Sequence, residues 1–302
     1  MNIHNSFGFR GAETTIKKPE GVYRIVTIGG STTYTQGVKD WKKDFARQLE
    51  RELRTAYNTE DIEVINAGLP GYSTWESLIN LQINVLQLEP DLIIIYHAIN
   101  DVQPRLVNPK DYKGDNSGDI RQWKEAPIPL LFKSTFIRLL TGINPSGLYR
   151  FVRVGRRTAY QFDEEGFVER LNGSYMETLE KNPPIYFERN LINMILIAEG
   201  NGIDVLLSTW TYRKHFSSGE DYFIPNFISS VERPAFQMAV EEHNEVVKKI
   251  GIKYNLPVYD FDSEMSSEED LWVEPVHLTE KGVDMKAKLF TKYIVSEKLI
   301  KR

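Results

Sequence analysis

Ser31 closes the run Ile28-Gly29-Gly30-Ser31, and His277 stands three residues after a carboxylate in Glu274-Pro275-Val276-His277. A serine behind two glycines has a backbone free to turn tightly and present its hydroxyl. A histidine needs an acceptor to fix its tautomer and stabilise its charged form, and a carboxylate three residues earlier can supply one. Two further segments bring hydrogen-bond donors: Asn66-Ala67-Gly68-Leu69-Pro70-Gly71-Tyr72-Ser73 and His97-Ala98-Ile99-Asn100-Asp101. A glycine N–H from the first and the Asn100 amide from the second suit a developing oxyanion. Taken singly, each segment has a plainer reading: a glycine turn with an N-cap serine, a chain reversal, an Asx turn, a helix cap. Together they make a full inventory for acyl transfer, with a nucleophile, two oxyanion donors and a base.

Other chemistries lack their residues. The 302-residue chain has no cysteine, so thiol nucleophiles, disulfides and Cys-ligated metals are excluded. Its five histidines (His4, His97, His215, His243, His277) form no close helical pair, which argues against a metal centre, and no cofactor is expected. The Gly29-Gly30-Ser31 turn lacks the Gly-Lys-Ser/Thr of a P-loop and the third glycine of a dinucleotide fingerprint. A net charge of −5 argues against a nucleic-acid partner, and the basic trio Arg153, Arg156 and Arg157 reads as a solvated face. Residues 1–18 have no signal-peptide core, and no stretch reaches the length of a membrane span. The chain as given therefore reads as soluble and cytoplasmic, with envelope association requiring an anchor beyond it.

The elements that must position these side chains alternate. Apolar runs predict strands over residues 23–28, 62–65, 92–96, 203–208 and 257–261. Between them, amphipathic periodicity predicts helices over 39–57, 78–88, 187–199 and 234–250, with a last helix from near Thr279 to Leu299. The 92–96 run is apolar throughout, as for a strand covered on both faces. This pattern predicts an α/β fold: a parallel sheet between helix layers, a three-layer α/β/α sandwich. Residues 102–184 are too many for a connection, so they are read as an insertion within one domain, residues 1–302. A lid or substrate-binding subdomain and a structural cap or oligomer interface are equally open readings of it. A shorter insertion covers 215–233.

The four ordered blocks resemble the SGNH (GDSL-like) hydrolase superfamily. The lead-in Asn5-Ser6-Phe7-Gly8-Phe9-Arg10-Gly11 is similar to that of bacterial members associated with surface polysaccharides. The resemblance implies a flavodoxin-like, five-stranded parallel sheet with the site at its carboxyl edge. It implies Ser31 as nucleophile, His277 as base, Glu274 as its partner, and Ser31, Gly71 and Asn100 as the oxyanion hole. The chain departs from the family pattern in reading Gly30 for aspartate, Ala98 for glycine and Glu274 for aspartate. Asp270, seven residues before the histidine, is a second possible partner, and a Ser–His dyad is the fallback.

The expected function is hydrolysis of short acyl (O-acetyl) esters on a small molecule or carbohydrate. The carbohydrate part rests on the family and on aromatics of the insertion (Trp123, Phe132, Tyr149, Phe151, Tyr160, Phe162), which suit sugar stacking or core packing alike. Two alternatives stay open: an O-acyltransferase using the same acyl-enzyme, and a non-catalytic carbohydrate-binding protein with the same fold.

Overall fold

The computed structural model describes residues 4–115, 174–215 and 233–301. Most of the 102–184 insertion, with its six aromatics, and all but the ends of the 215–233 insertion lie outside them, as does the Arg153 to Arg157 patch.

Five strands form one sheet in the order β2-β1-β3-β4-β5, every pair parallel: β1 (Tyr23–Gly29), β2 (Ile62–Asn66), β3 (Leu92–Tyr96), β4 (Asp204–Ser208) and β5 (Val258–Tyr259). This is the flavodoxin-like order, and its switch point lies between β1 and β3. The apolar runs are continuous because both faces are covered. In β3, Leu92, Ile94 and Tyr96 enter one core, and Ile93 and Ile95 the other. The first core is closed by α2 (Phe45–Tyr57) and the last helix, α9 (Glu280–Ser296); the second by α3 (Thr74–Asn80) and α6 (Ile185–Gly200). The long α7 (Arg233–Tyr254) contributes to both.

Three boundaries differ from the sequence reading for local reasons. The helix expected from residue 78 begins at Thr74, because Ser73 and Glu76 form a reciprocal capping box ahead of the first apolar repeat. It then widens into a π turn over Leu81–Val85 and tightens to a 3-10 turn over Leu86–Leu88, where Glu89 takes a left-handed conformation. Asp44 caps α2 through Arg47 N–H at 2.9 Å, splitting the expected 39–57 helix from a 3-10 turn at Trp41–Lys43. The fifth strand keeps only two ladder residues before α8 (Phe261–Glu264) begins.

Where the chain leaves for the large insertion and returns, its two ends are stitched together. Arg105 Nε donates to the Asn182 carbonyl at 2.7 Å, and Asn182 Nδ2 donates back to the carbonyls of Arg105 and Val107 at 2.6 and 2.8 Å. Arg105 also donates to the Leu179 carbonyl, at the end of α5 (Tyr175–Lys181), and pairs with Glu242 on α7. The two ends of the 102–184 segment are thereby tied to each other and to α7.

Candidate active site

Ser31 opens the four-residue helix α1 (Ser31–Tyr34) directly beyond β1, and Asn100 lies in α4 (Ile99–Val102) beyond β3. These are adjacent strands at the switch point, so both residues line the same crevice at the carboxyl edge. His277 reaches that crevice from the loop before α9, which Thr279 caps through Gly282 N–H. The loop is folded back on itself: Trp272 bridges Leu278, and Val273 N–H donates to the His277 carbonyl at 2.8 Å.

His277 Nε2 lies 2.8 Å from Ser31 Oγ. On its other side, Nδ1 is hydrogen-bonded to Glu274 Oε1, while Glu274 Oε2 accepts from Val276 N–H at 2.9 Å. With Nδ1–H donated to the carboxylate, Nε2 is left as an acceptor for the serine proton. Asp270 takes no part in this line. Its carboxylate pairs with Lys281 at an exposed position, and its carbonyl accepts from Thr279 Oγ1 at 2.8 Å.

The groups expected to act as donors keep N–H bonds that are unused among the described residues. Among the described residues, neither the Ser31 nor the Gly71 N–H has an acceptor. Gly71 has φ +80°, a left-handed conformation that glycine adopts without strain. Asn100 Nδ2 donates one proton to the Tyr72 carbonyl at 2.8 Å, which leaves its second N–H for another acceptor. The same amide accounts for Gly30: a Cβ there would stand 2.4 Å from Asn100 Nδ2 and 3.1 Å from the Tyr72 oxygen. The space over residue 30 is taken here by Asn100.

Two supporting networks were not anticipated from the sequence. Arg10, buried, donates to the carbonyls of Tyr34, Thr35 and Val38 at 2.8, 2.7 and 2.5 Å, closing the turn that follows Ser31. It lies 3.8 Å from buried Asp44, which besides capping α2 accepts from Asn66 Nδ2 at 3.0 Å, at the start of the segment that leads to Gly71. The second network joins the segments that follow β2 and β3. Asp101 accepts from Thr74 N–H at 2.9 Å, Asn190 Nδ2 donates to Thr74 Oγ1 at 3.1 Å, and His97 Nε2 meets Ser77 Oγ at 2.8 Å. The lead-in motif contains Arg10 of the first; no feature read in the sequence pointed to the second.

Burial sets the titration of these inner groups. It pulls His97 and His243 down to about 3, and pushes Asp101 up to about 7. Between about pH 6.5 and 3 the unfolded chain binds two protons that folded His97 and His243 refuse, so stability falls as pH drops through that window. Asp101 acts oppositely: folded Asp101 keeps a proton that the unfolded chain loses, so its contribution to stability rises as pH falls from about 7 to about 4. Urea unfolding from pH 7 to 4 is therefore expected to show acid destabilisation that His97→Gln flattens and Asp101→Asn steepens. Each change should alter the unfolding constant by up to about tenfold per pH unit. Parallel curves for the three proteins would contradict it.

Fold and site together describe a doubly wound α/β protein with a Ser–His–carboxylate line at its switch point. The chain belongs to the GDSL-like lipase/acylhydrolase family, whose profile matches residues 27–285. Solved structures share the fold. A lipase/acylhydrolase from Enterococcus faecalis aligns with TM-score 0.52 at 20% identity, covering 91% of this chain and 97% of its own. A catalytic mutant of an acetylxylan esterase from Geobacillus stearothermophilus aligns with TM-score 0.52 at 15% identity, covering 92% and 96%. No curated protein matches the chain. Among the described residues no helix is long and apolar enough to cross a membrane.

Proposed function

We propose that this protein is a serine esterase that removes short acyl groups, O-acetyl above all, from a carbohydrate. The observation that carries this reading is the 2.8 Å contact between His277 Nε2 and Ser31 Oγ with Glu274 on the far imidazole nitrogen. Ser31 Oγ attacks the ester carbonyl as its proton passes to His277 Nε2. Negative charge then gathers on the former carbonyl oxygen, where the Ser31 and Gly71 N–H groups and the second Asn100 N–H receive it. The imidazolium, held by Glu274, gives its proton to the departing alcohol. Water next loses a proton to the same nitrogen and attacks the acyl-serine, and His277 returns that proton to Ser31 Oγ as the acid leaves. The carbohydrate assignment is supported by likeness of fold to an acetylxylan esterase.

The test is a serine-directed fluorophosphonate with peptide mapping, alongside acetate release from acetylated xylooligosaccharides. Labelling of Ser31 and acetate release lost in Ser31→Ala are expected. An unlabelled Ser31 with no Ser31-dependent turnover would overturn the reading. Acetyl groups appearing on added sugars instead of in water would redirect it to acyl transfer.

Gly30 provides a second check. In Gly30→Ala the new methyl group must displace the Asn100 amide. Loss of that donor is expected to lower kcat by about 10²-fold, with KM and Tm little changed. An unchanged kcat would remove Asn100 from the oxyanion site.

A further inference from the structure

The short segment that follows β4, residues 210–213, is bonded to both halves of the catalytic pair. Trp210 Nε1 donates to the Thr32 hydroxyl at 3.1 Å, one residue past the nucleophile. At the other end Arg213 N–H donates to the Pro275 carbonyl at 2.8 Å, inside the loop that carries Glu274 and His277. Ser31 and His277 lie 246 residues apart in the chain, and this strap holds the segment of each. The strap is itself tied down. Asn244 on α7 grips the Trp210 backbone with both ends of its amide: Oδ1 accepts from Trp210 N–H at 2.8 Å, and Nδ2 donates to the Trp210 carbonyl at 2.9 Å. Thr211 N–H donates to the Tyr96 hydroxyl, at the end of β3, at 3.2 Å. Tyr96 in turn has the buried ammonium of Lys286, on α9, 3.7 Å from its ring centroid.

The nucleophile's helix needs such a tie. It is one turn long, too short to hold itself, and Gly30 at its N-cap has no side chain to bond its first N–H groups. Arg10 closes the far end of the turn through the Tyr34, Thr35 and Val38 carbonyls. At the near end the Thr33 hydroxyl reaches the Tyr96 carbonyl only at 3.4 Å, so the shorter Trp210–Thr32 bond is the firmer hold beside Ser31. Trp210 is fully buried, so its indole N–H would lose that acceptor without gaining water, which makes the bond costly to break. We infer that residues 210–213 set the spacing of Ser31 Oγ and His277 Nε2, with Trp210 a positioning residue that acts through Thr32. Asn244 fixes Trp210 in turn. The inference rests on the esterase reading of Ser31 and His277, in which proton transfer depends on their contact.

The test is a double-mutant cycle. Trp210→Phe removes the indole N–H and keeps an aromatic ring, while Thr32→Val removes the acceptor and keeps the side chain's shape. Each is expected to lower kcat for an acetyl ester by about tenfold with KM little changed. The double variant should fall no further, because one bond is lost in all three. Thr32→Ser keeps the hydroxyl and should recover the rate to within about threefold of the parent. A bond that only stabilised the fold would instead lower Tm and leave kcat of the folded protein unchanged, and that result overturns the inference. So do losses that multiply in the double variant. If Trp210→Phe fails to fold, the contrast of Thr32→Val with Thr32→Ser still decides. A crystal of Thr32→Val gives a readout without substrate: Ser31 Oγ and His277 Nε2 should stand beyond hydrogen-bond reach, and an unchanged contact overturns the inference. Failure of the esterase reading shows separately, as a parent protein whose Ser31 takes no fluorophosphonate, and the crystal comparison then decides the spacing.

Discussion

Replacing His277 with alanine is expected to lower kcat for an unactivated acetyl ester by about 10⁴–10⁶-fold, with Ser31→Ala falling to the same floor. The double variant should fall no further. The reason is geometric: the serine hydroxyl is a weak nucleophile by itself, and the base that activates it is 2.8 Å away. Removing either partner ends the same event, so their effects cannot add. What remains is the action of the oxyanion donors, which neither substitution touches, and it should keep both variants measurably above the uncatalysed rate. Ser31 is only partly buried at the head of a short helix, so Ser31→Ala should leave Tm close to that of the parent. Independent, multiplying losses would mean that the two residues do not act as a unit, and the proposed mechanism would fail.

How far this site could be read from the sequence differs residue by residue. The strands leading to Ser31 and Asn100 were legible because doubly covered strands are continuous apolar runs. The three-layer α/β/α arrangement followed, since parallel strands with helical crossovers admit few arrangements, whereas the flavodoxin-like sheet came from the family resemblance. The start of α3 was not legible from periodicity, because its capping box lies upstream of the apolar repeat that signals the helix. Lys286 was hidden by its type. A lysine is read as solvent-facing, yet its place in the 283–287–290–294 register already turned it toward the core. Arg10 belonged to a recognisable lead-in, but its three carbonyl partners come from a turn about 25 residues away and only folding brings them together. The missing aspartate at residue 30 looked like a loss of support in sequence. In three dimensions the Asn100 amide stands over Gly30, where a Cβ would meet it.

The choice between Glu274 and Asp270 shows the same limit most sharply, and it leads to the second large effect. Sequence spacing leaves both carboxylates within reach of His277, because a loop can bring residues three or seven apart together equally well. The bond from Val273 N–H to the His277 carbonyl decides it by closing the loop so that residue 274 lies beneath the imidazole. Glu274→Gln is expected to lower kcat by about 10²–10⁴-fold while Asp270→Asn leaves it within about twofold, since Asp270 serves only an exposed pair with Lys281. The glutamine is nearly isosteric, and its oxygen can still accept from Val276 N–H. Its NH₂ group would then face Nδ1 and donate to it, forcing the ring proton onto Nε2. In that tautomer Nε2 cannot accept the serine proton, although the ring stays in place. Loss of rate with retained His277 position in a crystal of Glu274→Gln would therefore separate an electrostatic and tautomeric role from simple packing. If Glu274→Gln kept full activity and Asp270→Asn lost it, the loop would have to rearrange during reaction and the assignment would pass to Asp270.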